Sequence, residues 1–159
     1  MLFEMAIGRM LSKGISNGNK IVYISPSKAL CDERYNDWSR RLAMVDKNLN
    51  VAVVTGDAIG YSAFQKAHEA QLILTTPEKW DGVTRSWQRR DYVRAVQVVI
   101  IDEIHLLGDD RGPVLEVIVS RMRYISARTE QRVRTNPDTC IIDVIPCDKR
   151  VHISICVSS

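Results

Sequence analysis

A short β-branched run that ends in two carboxylates limits what this chain can fold into more than any other feature. Val96, Val98, Val99, Ile100 and Ile101 lead directly into Asp102-Glu103-Ile104-His105. A run of this length and composition reads as a strand buried on both faces, the kind found in parallel sheets. Its acids would then stand at the sheet's C-terminal edge, where open α/β sheets bind ligands. There one carboxylate can hold Mg²⁺ through water, and its neighbour can orient and deprotonate the water that attacks a γ-phosphate. Taken alone, Asp102-Glu103 reads more readily as a solvated turn. His105 and the motifs around it reverse that reading.

The rest of the chain alternates strand-like and helix-like segments, which predicts a parallel sheet with helices on both faces. Strands are expected over Ile21 to Ile24, Val51 to Val54, Leu72 to Leu74 and Val96 to Ile101. From Ser27 onward, Leu30, Cys31, Tyr35, Trp38, Leu42 and Val45 recur at three- and four-residue steps and mark an amphipathic helix. A helix is also expected from Met1 to about Lys13, with a loop over residues 14–19. A short helix is expected over Phe64 to Glu69, and another starting near Pro77 with Thr76 as its N-cap. Val114, Leu115, Ile118, Met122 and Ile125 form the apolar face of a last helix, begun by the turn Arg111-Gly112-Pro113. At 159 residues the chain is of single-domain size, and 45% apolar residues suffice for a sizeable core. Charged residues make up 26%, and the net charge of +3 says little about nucleic acid by itself.

Three further stretches complete a pattern with the acidic motif. Ser25-Pro26-Ser27-Lys28-Ala29-Leu30, Thr55-Gly56-Asp57 and Thr75-Thr76-Pro77-Glu78-Lys79-Trp80-Asp81 precede it in order. They resemble motif Ia, the TGD element and motif Ib of superfamily 2 helicases, and Val99 to His105 resembles motif II of the DExH type. The resemblance covers roughly residues 2 to 134 and points to the Ski-like group. Trp80 to Trp87 and Arg111 to Met122 resemble the activating-signal cointegrator and spliceosomal Brr types. Leu2 to Ile7 and Lys28 to Cys31 resemble the meiotic Mer type. The implied fold is a RecA-like sheet, with residues 1–134 as part of a helicase ATP-binding domain and residues 135–159 as a divergent tail.

The same resemblance assigns roles. Asp102 would bind Mg²⁺ through water, Glu103 would activate the attacking water, and His105 would link the ATP site to the family's other motifs. Ser25, Pro26, Lys28, Thr55, Gly56, Asp57, Thr76, Pro77 and Glu78 would grip the backbone of one strand of RNA or DNA. Helix N-termini hold phosphates without reading bases, which suits that task. Each of these turns in isolation reads as a simple helix cap. Two caps on one sheet, bracketing a TGD turn, favour function. Implied cofactors are ATP and Mg²⁺, and implied partners are nucleic acid and a second RecA-like domain. The implied setting is intracellular and nuclear.

Departures from the pattern are equally plain. No G-x-x-x-x-G-K-[ST] phosphate loop occurs in the sequence. After Arg134 the family's next buried strand and its Ser-Ala-Thr motif are not recognisable, so the sheet is expected to lack a neighbour for the motif II strand. Thr139 to Ile145 and Val151 to Val157 have strand composition, and the former is a candidate for the vacant place with a weakly specified register. A second reading follows from these gaps, in which the chain is a non-catalytic nucleic-acid- or partner-binding piece. A dinucleotide-binding domain is excluded because no G-x-G-x-x-G follows a strand.

Other features have plainer readings. Arg85, Arg89, Arg90 and Arg94 around Trp87 read as solvated helix faces, and Trp38 and Trp80 as packing residues. Cys31 stands alone, while Cys140, Cys147 and Cys156 are seven and nine apart, unlike metal-binding pairs. Reduced thiols are the expectation, with a tail zinc site that includes His152 as the lesser alternative. No apolar run reaches the roughly eighteen residues of a membrane span, and residues 1–10, with Glu4, do not read as a signal peptide.

Overall fold

Strand β1 (Lys20–Ile24) is buried at every position and paired along both edges, so it sits at the heart of the sheet. The structure, a computed structural model, describes residues 19–46, 49–56, 61–102, 108–130, 140–144 and 154–156. After β1 come helix α1 (Lys28–Val45), strand β2 (Val51–Val54), helix α2 (Tyr61–Glu69) and strand β3 (Leu72–Thr75). Helix α3 (Pro77–Thr84), a 3-10 turn (Trp87–Arg89) and the one-turn helix α4 (Asp91–Arg94) lead to strand β4 (Val96–Asp102). Helix α5 (Gly108–Glu130) and strands β5 (Cys140–Val144) and β6 (Ser154–Cys156) complete the described elements. The sheet order is β2-β3-β1-β4-β5-β6, parallel except for β6, which runs against β5. The expected α/β class, a parallel sheet with helices on both faces, is what these residues form. The expected N-terminal helix lies outside the described residues.

Side-chain alternation divides the core in two. Ile21, Tyr23, Leu72, Leu74, Val98 and Ile100 meet Cys31 and Trp38 of α1. Val22, Ile24, Ile73, Val99 and Ile101 face α2 to α5, against Ala67, Trp80, Tyr92, Val93, Ile118, Met122 and Ile125. One irregularity sets this division. Lys20 pairs with Val96 but Ile21 pairs with Val98, so Gln97 is an extra residue in β4. Val96 therefore packs on the α5 side, and Val98, Ile100 and Asp102 turn toward α1.

Lys20 is buried, and its ammonium group has a definite use. Nζ donates to the carbonyls of His68 at 2.7 Å and Ala70 at 2.5 Å, closing the carboxyl end of α2, where cations are favoured. Burial pulls its pKa below the usual lysine value.

Four expectations change in detail. The apolar stripe of α1 is narrower than its periodicity suggests, with Cys31 and Trp38 buried but Tyr35 and Val45 exposed. Thr76 sits at the N-cap of α3 without a side-chain cap; its carbonyl accepts from Trp80 N at 2.9 Å. Helix α5 begins at Gly108, so Pro113 lies inside it rather than at its start. The place beside β4 is filled. β5 pairs in parallel with β4 from Val98↔Cys140 to Asp102↔Val144, which corrects the expectation of a missing neighbour. The ladder is made by backbone groups, and Ile141, Ile142 and Val144 supply β-branched residues suited to it without any family motif.

The inner face of α5 is expected to carry much of the stability of this layer. Ile118→Ala removes a fully buried side chain, and unfolding by chemical denaturant should show a loss of about 2–5 kcal/mol.

Candidate active site at the sheet edge

The parallel register brings the motif residues into one row. Ile24 lies between Thr75 of β3 and Ile101 of β4, and Thr75 pairs in turn with Val54 of β2. The next residue on each strand is therefore Thr55, Thr76, Ser25 or Asp102, in the spatial order β2, β3, β1, β4. With strands about 4.8 Å apart, the row spans about 14 Å along the C-terminal edge. Ligands of open α/β sheets bind at this edge.

The motif residues at this edge differ in exposure. Ser25, Pro26, Thr55 and Pro77 are buried, while Ser27, Lys28, Gly56 and Glu78 are exposed. A buried hydroxyl and a backbone amide tie the edge together: Thr75 Oγ1 donates to the Val54 carbonyl at 2.7 Å, and Ser25 N donates to the Thr75 carbonyl at 2.9 Å. Ser27 caps α1, its Oγ accepting from Leu30 N at 3.2 Å. Lys28 opens a first turn that carries no acid, so a cation adds to the positive end of the helix dipole there. Such a spot attracts phosphate. Glu103, His105 and Asp57 lie outside the described residues.

Asp102 is 4% exposed and turned toward α1. The Tyr23 hydroxyl donates to its Oδ2 in a short hydrogen bond. Burial, and then the Asp102 carboxylate, push the Tyr23 pKa well above its usual value, so the phenol stays protonated and keeps donating. The Arg34 guanidinium on α1 stands near both groups, and its Nε is buried without a hydrogen-bond partner. Neither Tyr23 nor Arg34 was expected as a site residue. Tyr23 had a readable signal, since a tyrosine in the otherwise aliphatic stretch Ile21-Val22-Tyr23-Ile24 needs a polar partner. Cys31 donates from Sγ to the Thr75 carbonyl at 3.4 Å, and burial pushes its thiol up to about 11, which leaves it an inert packing residue.

Among the described residues, no cluster of three or more His, Cys, Asp or Glu could cage a metal ion. A cation that keeps most of its waters needs no cage, only one or two carboxylates and the phosphates of its nucleotide. Asp102, a single acid at the ligand-binding edge, fits that mode.

Trp80-Asp81 anchors α3 behind the row. Arg121 of α5 donates from Nη1 to Asp81 Oδ1 at 2.6 Å, the Asp81 carbonyl at 3.1 Å and Thr84 Oγ1 at 2.8 Å. Arg85 adds two bonds to Oδ2, at 2.6 and 3.0 Å, from a largely exposed position. This pairing across 40 residues left no signal in the sequence. Three arginines of the group after α3 are occupied locally: Arg85 with Asp81, Arg94 with Asp91, and Arg90 with the Tyr92 hydroxyl at 3.1 Å. Trp87 meets Tyr124 edge to face at 6.3 Å.

A parallel sheet that lines up a buried acid and two helix-opening turns at its C-terminal edge has the architecture of a nucleotide-driven helicase domain. The DEAD/DEAH box helicase family model matches residues 1–140, and the chain belongs to that family. It is 53% identical over 133 residues to activating signal cointegrator 1 complex subunit 3 of Gallus gallus, covering 82% of this chain and 6% of that protein. It is 50% identical over 117 residues to the RQC trigger complex helicase SLH1 of Saccharomyces cerevisiae, covering 74% of this chain and 6% of that protein. It is 53% identical over 131 residues to the ATP-dependent RNA helicase DExH14 of Arabidopsis thaliana, with 82% and 6% covered. The chain thus spans a small part of the length of these relatives. The first of these names falls on the cointegrator side of the two resemblances read from the sequence. Among solved structures, Mycobacterium smegmatis helicase Lhr bound to ssDNA and AMP-PNP superposes with a TM-score of 0.62 at 25% identity, covering 77% of this chain and 17% of that one. The DUF1998 helicase MrfA bound to DNA and AMPPNP shares the fold, with a TM-score of 0.63 at 14% identity and 75% and 17% covered. Membership of the family implies use of ATP.

Asp81 supplies a test of the anchoring. Burial alone would raise its pKa, but Arg121 and Arg85 outweigh that and hold it below the usual 3.8. A carboxylate with a depressed folded pKa adds stability above its unfolded pKa and loses it as the pH falls through the folded value. Asp81→Asn is therefore expected to cost about 2 kcal/mol near neutral pH, since Arg121 loses the charge it pairs with. Melting at a series of pH values should show the gap to wild type constant above about pH 5 and closing below the ordinary carboxylate range.

Proposed function

We propose that this chain supplies the nucleic-acid grip and the acids of the ATP site in an ATP-dependent helicase that moves along RNA or DNA. The observation that carries the reading is the row Thr55, Thr76, Ser25 and Asp102 on one sheet edge. In this reading Asp102 binds Mg²⁺ through water, Glu103 orients and deprotonates the attacking water, and His105 links the site to domain movement. Mg²⁺, when bound with the nucleotide, offsets charge on the transferring phosphoryl group. The first-turn amides of α1 and α3, with Lys28 and the Thr55-Gly56-Asp57 turn, hold a strand by its phosphates. The exposure of Lys28 and Gly56 supports this, and the buried hydroxyls of Ser25 and Thr55 act by shaping the edge. A second RecA-like domain completes the motor, and a nuclear setting is part of the same proposal. Binding of ssDNA and of AMP-PNP together by Lhr, and the RNA helicase name of the plant relative, support nucleic acid and nucleotide as joint ligands.

In the full-length protein, Glu103→Gln is expected to lower ATP hydrolysis by a factor of about 10²–10⁴ while nucleotide binding persists. Single-turnover hydrolysis and fluorescent-nucleotide binding measure the two separately; unchanged turnover would remove Glu103 from its role.

Binding by the 159-residue chain itself is expected to be weak and independent of base sequence, because backbone contacts dominate it. Fluorescence anisotropy with two unrelated single strands should give similar affinities that fall steeply with added salt. A preference for one strand that survives high salt would contradict the assigned grip.

A further inference from the structure

We propose that Tyr23 is a positioning residue for Asp102, and that with Arg34 it ties this acid to α1, the helix whose N-terminus grips the nucleic-acid backbone. The inference deepens the reading just given and rests on it. Tyr23 is 0% exposed in the middle of β1, and its ring meets Trp38 of α1 edge-on with centroids 4.9 Å apart. That contact fixes the ring, so the hydroxyl has one direction to donate in, and its acceptor is Asp102 Oδ2. Phe at this position would pack equally well in an apolar layer of Ile21, Leu74, Val98 and Ile100. The hydroxyl is useful because a buried carboxylate requires donors.

Arg34 supplies the second half of the link. It lies on the inward face of α1, one turn from both Cys31 and Trp38, and its charge acts on both Tyr23 and Asp102. Its buried Nε lacks a partner, an arrangement that costs free energy and that nearness to the carboxylate offsets. Helix α1 starts at Ser27-Lys28, on the same edge as Asp102. A shift of α1 on gripping a strand therefore reaches the acid through Arg34 and Tyr23, without passing through the sheet backbone. Partners of this kind around a metal-binding carboxylate commonly change metal affinity or activity by about 10–100-fold when removed.

The test uses the full-length protein with three readouts: Mg²⁺ titration of fluorescent ADP binding, ATP hydrolysis with and without a single-stranded homopolymer, and thermal melting. Tyr23→Phe keeps the ring against Trp38 and removes only the hydroxyl. The Mg²⁺ concentration for half-maximal binding should rise about ten-fold, and the ratio of stimulated to basal hydrolysis should fall. Arg34→Gln should move both readouts in the same direction, and it decides the matter if Tyr23→Phe does not fold. Wild-type Mg²⁺ dependence and a wild-type ratio in a folded variant overturn the inference, and a lowered melting temperature as the sole change does so too, by showing a purely structural tyrosine. Asp102→Asn separates the two levels. If it loses Mg²⁺-dependent binding and Tyr23→Phe does not, the inference fails alone; if it keeps wild-type Mg²⁺ dependence, the reading of Asp102 fails and the inference with it.

Discussion

The parallel register of β1 with β3 and β4 is the constraint on which the rest of the structure depends. Hydrogen bonds between Ile24, Thr75 and Ile101 leave no freedom in where each strand ends, so the residues that follow must share an edge. Slippage by a residue would reverse the facing of every side chain beyond it. The two apolar layers forbid that, because Tyr23, Leu74 and Ile100 pack on one helix, and Ile24, Ile73 and Ile101 on others. Core packing and site geometry are thus one requirement met by one set of residues.

Around that sheet, three cations stand at junctions between elements. Lys20 closes the end of α2, Arg121 fastens α3 to α5 through Asp81, and Arg34 stands by Asp102 where α1 crosses the sheet. The first two reach from one element to a carbonyl or carboxylate on another, and the third sets its charge beside one. A half-buried pair of this kind adds little stability over a well-packed apolar one but is costly to break, so it fixes arrangement more than it raises stability. For a domain expected to transmit movement, fixed junctions between rigid elements are the useful property.

Local signals carried most of the fold. Val96 to Ile101, Ile21 to Ile24 and Leu72 to Leu74 are too apolar to be anything but buried strands, and the Ser27 and Pro77 turns announce their helices chemically. The motifs then placed Ser25, Thr55, Thr76 and Asp102 on adjacent strand ends, and the register agrees. What escaped was non-local. Nothing near Tyr23 shows that its hydroxyl will meet a residue 79 positions away, and nothing near Asp81 shows that Arg121 will arrive from 40 positions on. The strand β5 was legible only as a candidate: its composition suited the place beside β4, but it follows no family motif, and a ladder made of backbone groups asks only for residues of suitable shape.

The extra residue at Gln97 has an effect beyond its own position. A strand has two sides, so inserting one residue exchanges them for everything downstream, and Asp102 lies five positions on. Upstream of Gln97 the chain presents Val96 to the α5 layer; downstream, the same count would have sent the acid to that layer too, away from Tyr23. The irregularity works as a parity device, uncoupling the side on which the strand enters the core from the side on which its acid leaves it. Evolution of the core at one end of β4 is thereby freed from the chemistry at the other.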